Sequence, residues 1–380
     1  MSSYDYIIIG AGASGLLLAD ALGSDPFFSD SSILLLDKSD KKSNDRTWCF
    51  WEQGEGPFDA ILYQSWPKIH FAGRKLNIQP EVAPYRYKML QGVDFYQHYL
   101  KRMTAYPNIT FKQAEILEVL EQEGKMLVRA KEASFEADQV FDSRFDYQKM
   151  KQESAFPVLQ QHFLGWFIKT ETPVFDPETA TFMDFSIAQK GNTRFMYVLP
   201  FSETEALVEY TLFSENVLEK SEYEAAIEDY ITQKLQVTKY TITEVEKGNI
   251  PMSCYPFSAG NTARHLKIGI AGGWAKASTG YTFYSSVKKV KELVAFLKTG
   301  KPLNAFAKRK RFWFYDLLLL DILSKRNDLG AEIFESLFRK RKPQLIFKFL
   351  DEDTNLLEEI RIMAAPKPWP FIKALLGRVF

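Results

Sequence analysis

Two groups of residues in this chain have the types and spacing to do chemistry. The first is Gly10, Gly12 and Gly15, a G-x-G-x-x-G pattern in "GAGASG", with Asp37 standing 22 residues beyond Gly15. Gly10 permits a tight turn, Gly12 lets a pyrophosphate approach backbone N–H groups at a helix N-terminus, and Gly15 allows that helix to pack closely on a sheet. Asp37 can accept hydrogen bonds from the hydroxyls of an adenosine ribose. The second group is a pair of acids in apolar surroundings. Glu209 lies in the middle of "LPFSETEALVEYTLF", residues 199–213, and Asp184 lies in "FMDF" beside Phe182, Met183 and Phe185. The strand through Glu209 fits the wall of a mostly apolar pocket holding one acid, and the neighbours of Asp184 suggest its burial. The structural alternatives are a solvated strand face for Glu209 and a carboxylate satisfied by backbone N–H groups for Asp184.

The elements that must position these residues follow from composition and periodicity. "YDYIII" is a short β-rich run, "LLLADAL" has helical composition, and "SILLLDK" is a second buried strand that ends at Asp37. The glycine pattern thus sits between strand and helix in a βαβ unit, the context a dinucleotide fingerprint requires. Residues 109–142 read as a β-meander with a Glu-Gly-Lys turn, residues 163–213 as strand-rich, and residues 221–236 as helical. "KIGIAGGWAKASTGYTF" is a strand entering a glycine-containing loop before the helix "SSVKKVKELVAFLKTG", and beyond residue 302 the chain reads as mostly helical. Around Glu209, period-two alternation sets Ala206, Val208, Tyr210 and Leu212 on one face and Glu205, Leu207, Glu209, Thr211 and Phe213 on the other.

The expected fold class is α/β. It comprises a Rossmann-type FAD-binding domain over residues 1–150 and 250–300, an interleaved β-sheet substrate domain over 151–249, and a helical, membrane-associating region over 301–380. The preference for FAD has two sources in the sequence. "FEADQVFDSR", with Asp142 after the last strand of the meander, is similar to a second flavoprotein fingerprint, and "IGIAGGWAKASTG" is similar to a third. In the third, a helix N-terminus points at the pyrimidine end of the isoalloxazine, where negative charge gathers on reduction. A second G-x-G-x-x-G and a C-x-x-C are both missing, which argues against a stable NAD(P) domain and a disulfide-reductase mechanism.

Composition narrows the setting. Hydrophobic residues make up 46% and charged residues 25%, as in ordinary globular proteins, while aromatics reach 15%, a large supply of flat apolar surface for a core, a pocket or a membrane-facing patch. Cys49 and Cys254 have no ligand spacing, and His70, His98, His162 and His265 form neither a metal nor a triad arrangement. With no basic signal region and no stretch of 18 uncharged apolar residues, a cytoplasmic protein without a spanning helix is expected. The net charge of zero calls for no nucleic-acid partner. Residues 301–380 nevertheless hold 16 Lys/Arg against 10 Asp/Glu, an excess of six that points toward an anionic surface. "RFWFYDLLLLDIL" and the terminal "PKPWPFIKALLGRVF" mix Trp, Phe and Leu with basic flanks, as interfacial helices do.

As an ordered set, "GAGASG", "LLDK", "NDRTWCFW", "FDSR", "FDPETATFMDF", "LPFSETEALVEYTLF" and "GIAGGWAKASTGYTF" resemble the flavin-dependent lycopene cyclases, relatives of the aromatic-hydroxylase-like FAD fold. The resemblance covers most of residues 4–290. It implies cofactor contacts from Gly10, Gly12, Gly15, Asp37, Lys38, Arg46, Asp142, Gly272, Gly273, Gly280 and Tyr281, and catalytic roles for Glu209 and Asp184. It further implies lycopene and other acyclic-ended carotenoids as substrates, FAD in its reduced form with NAD(P)H as external reductant, and an enzyme lying peripherally on the membrane. The sequence departs from the pattern at Ser143, where members often carry Gly, and in "AGGW", which lacks an Asp that many related flavoproteins use. A prenyl reductase or hydroxylase of the same fold is the competing expectation.

Overall fold

The N-terminal strand Ser2–Ile9 carries the β-branched run Ile7, Ile8 and Ile9, which is buried on both faces, as a strand inside a parallel sheet must be. It lies between two parallel neighbours, Ile33–Asp37 and Ser134–Asp142, and Ile109–Gln113 adds a fourth parallel strand outside Ile33–Asp37. Lys125–Ala130 and Ile116–Gln122 extend the other edge as antiparallel strands. The turn joining them places Glu123 at φ 50° and Gly124 at φ 79°, the left-handed pair that a two-residue hairpin needs. Only the last three strands of the expected meander behave as one, because Ile109–Gln113 pairs with Ile33–Asp37. The helices Ala13–Gly23, Gly92–Met103 and Phe283–Leu297 pack together over this sheet. In this computed structural model residues 2–306 and 310–379 are described; Phe380, the last residue of the terminal apolar segment, lies outside them.

A second sheet of seven strands runs in the order Tyr240–Ser253, Val158–Thr170, Glu205–Ser214, Thr193–Pro200, Thr179–Asp184, Lys68–Ala72 and Asn77–Ile78. Its last two strands come from residues that the sequence boundaries assign to the first domain, so the chain passes between the two sheets more often than those boundaries imply. A small antiparallel sheet of Thr47–Gln53, Tyr85–Gln91 and Gln64–Trp66 lies beside it.

Both faces of the middle of the second sheet are covered. Tyr223, Ile227, Tyr230 and Ile231, from the helix Lys220–Asp229 and the π-turn that continues it, pack against Val208 and Leu212. The opposite face, with Leu207 and Phe213, meets Trp51, Tyr87, Phe334 and Phe347 from the small sheet and the C-terminal helices. The strand through Glu209 is therefore buried on both sides, and the solvated-face alternative does not hold for it. Only its two end residues, Glu205 and Ser214, reach solvent, and Glu205 pairs there with Lys169 at 2.8 Å.

The C-terminal region consists of the helices Arg311–Lys325, Gly330–Lys340, Pro343–Leu350, Leu356–Met363 and Pro368–Val379. The first of these is tied to the rest by buried acids. Asp316 takes Lys276 at 3.0 Å and the Ser278 hydroxyl at 2.7 Å, while Asp321 takes the Arg378 guanidinium of the terminal helix through two bonds of 2.6 and 2.7 Å. Among the described residues, no helix is long and apolar enough to cross a membrane.

Candidate active site

The glycine turn has the geometry of a diphosphate cradle. Gly10 adopts φ +101°, and a Cβ there would lie 2.0 Å from Ser143 Oγ. At Gly15 a Cβ would lie 1.9 Å from the Gly10 carbonyl oxygen, so only glycine lets the helix sit so close to the strand. At Gly12 nothing lies within 4 Å of the Cβ position: the space in front of the helix N-terminus is open. Asp37 braces the turn, accepting hydrogen bonds from Ala11 N–H at 2.6 Å and Ser39 N–H at 2.8 Å, with Lys41 at 3.2 Å. A second helix N-terminus arrives beside the first. Ser14 Oγ, in the first turn of Ala13–Gly23, donates to Ser286 Oγ, in the first turn of Phe283–Leu297, at 3.0 Å. Two converging positive helix ends and an open glycine fit a dinucleotide carrying negative charge at its centre and at its flavin ring.

The other expected cofactor contacts fall into three groups. Gly272, Gly273, Gly280 and Tyr281 belong to the loop that leads into Phe283–Leu297. Gly280, at φ +73°, hooks back to donate to the Lys276 carbonyl at 2.8 Å, and its Cα sits against Gln161 of the second sheet. Lys38 and Arg46 are exposed near the cradle, Arg46 beside Asp45. Asp142, at the end of the strand next to Ser2–Ile9, is fully buried and saturated by Arg144 and by Lys267 at 2.8 Å, with His265 at 3.4 Å. Burial opposes its charge, but these basic partners outweigh burial and hold the carboxyl well below the usual range. Asp142 pins the strand end through these bonds.

Tyr281 links the cofactor loop to Glu209. Its hydroxyl lies 3.4 Å from that of Tyr197, and Tyr197 is the direct cross-strand neighbour of Glu209. The ring of Trp51 meets the Tyr281 ring edge-on at 4.6 Å and stacks on Phe347 at 4.7 Å. A cavity of about 620 Å³ opens on the far side, with Cys49, Trp51, Trp274, Tyr281 and Phe283 among its walls. Glu209 is not itself part of those walls, but its neighbours Cys49 and Tyr281 are.

Four strands place one residue each along the line through Glu209. Tyr197 pairs with Glu209, Glu209 with Gly165, and Gly165 with Glu246. Directly paired residues project to the same face, so the two glutamates flank a position that carries no side chain. A Cβ on Gly165 would lie 2.7 Å from Leu207 Cδ1 and 3.3 Å from Glu209 Cβ. The Thr211 hydroxyl donates to Glu209 Oε1 at 2.5 Å, and the Thr47 hydroxyl donates to Glu246 Oε2 at 2.6 Å. Burial, and after it the neighbouring Glu246, push the Glu209 carboxyl well above the ordinary value; burial raises Glu246 to about 6. Burial and the neighbouring Glu246 together favour the neutral form of the Glu209 carboxyl.

The structure does not bring Asp184 to this place. Asp184 pairs with Met196, whose own partner is Tyr210, on the face covered by Lys220–Asp229. It is fully buried and accepts from Ser186 N–H and the Tyr230 hydroxyl, each at 2.8 Å. Glu246, by contrast, was not singled out by the sequence. The available signal was Gly165, an isolated glycine inside the otherwise bulky strand "VLQQHFLGWFIKT", which marks a close approach by a neighbour.

A Rossmann-type sheet with a glycine cradle, interleaved with a second sheet that carries Glu209, places the chain in the Rossmann-type α/β class. The same fold occurs in a geranylgeranyl bacteriochlorophyll reductase-like protein from Thermoplasma acidophilum, with a TM-score of 0.63, 13% identity and 98% of both chains covered. It occurs also in the halogenase PltM, solved with phloroglucinol and FAD, with a TM-score of 0.58, 11% identity, and 92% of this chain and 82% of that one covered. The family described as lycopene cyclase protein matches residues 5–376, and the chain belongs to that family of enzymes. Its relatives include a lycopene beta-cyclase of Paracoccus sp., 26% identical over 407 residues, covering 98% of this chain and 96% of the relative. Another, from Pantoea ananas, is 24% identical over 399 residues, with 98% and 97% covered.

Proposed function

We propose that the chain is a lycopene β-cyclase that converts the acyclic ends of lycopene into β-rings with no net redox change. The observation that carries this reading is the Glu209 carboxyl, buried among aromatic side chains that disfavour its charge. Glu209 gives a proton to C2 of the terminal isoprene, which leaves a tertiary cation at C1. The C5=C6 double bond closes on C1, the charge moves to C5, and loss of the C6 proton forms the ring double bond. One proton enters and one leaves, so the reaction is an isomerisation. Tyr197, Tyr281 and Trp51 supply electron-rich surfaces around the acid and exclude water that would quench a cation.

Gly10, Gly12, Gly15 and the two helix N-termini would hold FAD, with Asp37 bracing the turn. Primed by NAD(P)H and bound in its reduced form, FAD supplies negative charge that favours the cationic stages of the reaction.

The substrate dissolves in lipid, so the enzyme is read as cytoplasmic and peripheral on the membrane. Two C-terminal helices support this. Leu356, Leu357, Ile360 and Met363 are exposed on one, and Trp369, Ile372, Leu375 and Leu376 on the other, at spacings that give each helix an outward apolar side. Arg361, Lys367 and Lys373 are exposed among them.

Expression in lycopene-accumulating bacteria tests the activity: β-carotene, through γ-carotene, is the expected pigment. Consumption of NAD(P)H in step with product, or formation of a saturated or hydroxylated carotenoid, would replace this reading with a reductase or hydroxylase.

A further inference from the structure

We propose that Glu246 is a positioning residue for Glu209: the two carboxyl groups, brought together over the bare backbone of Gly165, hold one proton between them and act as a single acid–base unit. This rests on the reading of Glu209 as the initiating acid. Geometry carries it. The central strand Val158–Thr170 pairs with Glu205–Ser214 on one side and Tyr240–Ser253 on the other, and at Gly165 the two registers coincide. Any larger residue there would place a side chain between the glutamates. One oxygen of each carboxyl is held by a threonine, Thr211 on Glu209 and Thr47 on Glu246, and the charge of Glu246 disfavours a charge on Glu209.

The groups around the pair are Thr47 and Cys49 from Thr47–Gln53, Tyr87 from Tyr85–Gln91, Tyr197 from Thr193–Pro200, Tyr281 from the cofactor loop, and Glu244 beside Glu246. Farther along the face, Glu205 is neutralised by Lys169. Among the described residues no lysine, arginine or histidine bonds to either Glu209 or Glu246, so one proton is what relieves their repulsion.

The unit closes the proton balance of the reaction. The O–H bond of Glu209 breaks as the C2–H bond forms, leaving two facing carboxylates whose repulsion makes them a strong base. The C6–H bond then breaks, an O–H bond re-forms on the pair, and the starting state returns. Before the reaction, the Glu246 charge keeps Glu209 protonated; during it, that charge favours the carbocation.

The test is the pH profile of cyclisation of lycopene in liposomes by the FAD-loaded enzyme. The wild-type rate is expected to rise as pH passes about 6, where Glu246 ionises, and to fall again at higher pH as Glu209 does. Glu246→Gln is expected to lose the acid limb, to shift the alkaline limb down by roughly a unit or more, and to lower kcat roughly tenfold to a hundredfold. Glu246→Asp is expected to restore the acid limb. A Glu246→Gln profile with both limbs where the wild type has them overturns the pairing, whatever the rate. If Glu209→Gln is also fully active, the reading of Glu209 as the acid has failed instead. A second measurement does not need the Glu246 variant to fold. Infrared spectra of the wild type at pH 8 are expected to show a protonated-carboxyl band that Glu209→Gln lacks, and its absence from the wild type overturns the shared proton.

Discussion

Glu209 and Glu246 are the cross-strand neighbours of the same residue, Gly165, from opposite sides of one strand. Two acids separated by 37 positions in the chain thus become one electrostatic unit, and the consequences extend beyond the reaction to the stability of the protein.

Burial raises Glu246 from an ordinary value of 4.5 to about 6, so the folded chain binds that proton more tightly than the unfolded chain. The associated stabilisation is fully present below pH 4.5 and is lost as pH rises through 6. Glutamine has no proton to lose. Glu246→Gln should therefore gain on the wild type as pH rises, by on the order of 2 kcal/mol at pH 8, and thermal melts at pH 4 and pH 8 measure the difference. An unchanged gap between the two proteins at the two pH values contradicts a Glu246 carboxyl that holds its proton more tightly in the folded chain.

The cradle predicts opposite outcomes at two of its glycines. Gly12→Val meets nothing within 4 Å at its Cβ, so the variant should fold, and its side chain should fill the space a diphosphate needs. Purified protein is expected to melt as the wild type does without its cofactor and to carry no FAD. Gly15→Val, whose Cβ would collide with the Gly10 carbonyl, should instead fail to fold. Stoichiometric FAD in Gly12→Val rejects the cradle as the diphosphate site.

The legibility of the chain follows the range of the interactions. The glycine turn, Asp37 and the strands either side were readable because their constraint is local, one βαβ unit of contiguous sequence. The helical C-terminus was readable from composition. Glu209 could be singled out by its setting, but its face was ambiguous, because alternation cannot say whether a helix or solvent covers a sheet. The structure settles that through Phe334 and Phe347, more than a hundred residues later. Asp184 looked equivalent to Glu209 in its aromatic surroundings, yet strand register turns it to the other face. Glu246 was invisible, because its partnership is a matter of register between strands distant in sequence.

The membrane reading is best tested without deleting the terminal helix. Arg378 neutralises Asp321, which is only 5% exposed, and removing the helix would leave that buried charge unpaired, at a cost of about 3–5 kcal/mol. Point changes avoid this. Leu357→Ser, Trp369→Ser and Leu376→Ser together alter three side chains that are 70%, 70% and 48% exposed. The triple variant should keep its melting temperature within a few degrees and its FAD spectrum, while co-sedimenting several-fold less with anionic liposomes. Equal co-sedimentation rules these helices out as the docking surface.

The two acids first singled out by their surroundings can now be separated by experiment. Glu209→Gln keeps the shape of the side chain and the bond from Thr211, but it cannot protonate an alkene, so cyclisation should fall by roughly a hundredfold or more while FAD binding persists. Asp184→Asn acts on the opposite face, where the carboxylate serves Ser186 and Tyr230. It should cost about 1–3 kcal/mol of stability through weaker hydrogen bonds to a buried group, with kcat close to that of the wild type in the fraction that remains folded. Glu205→Gln, at the solvent end of the same strand, should change neither quantity by more than the loss of an exposed ion pair with Lys169. Pigment analysis and melting curves on the three variants decide the assignment. Loss of β-carotene from Asp184→Asn with intact folding, and its persistence in Glu209→Gln, would move the acid to the other side of the sheet.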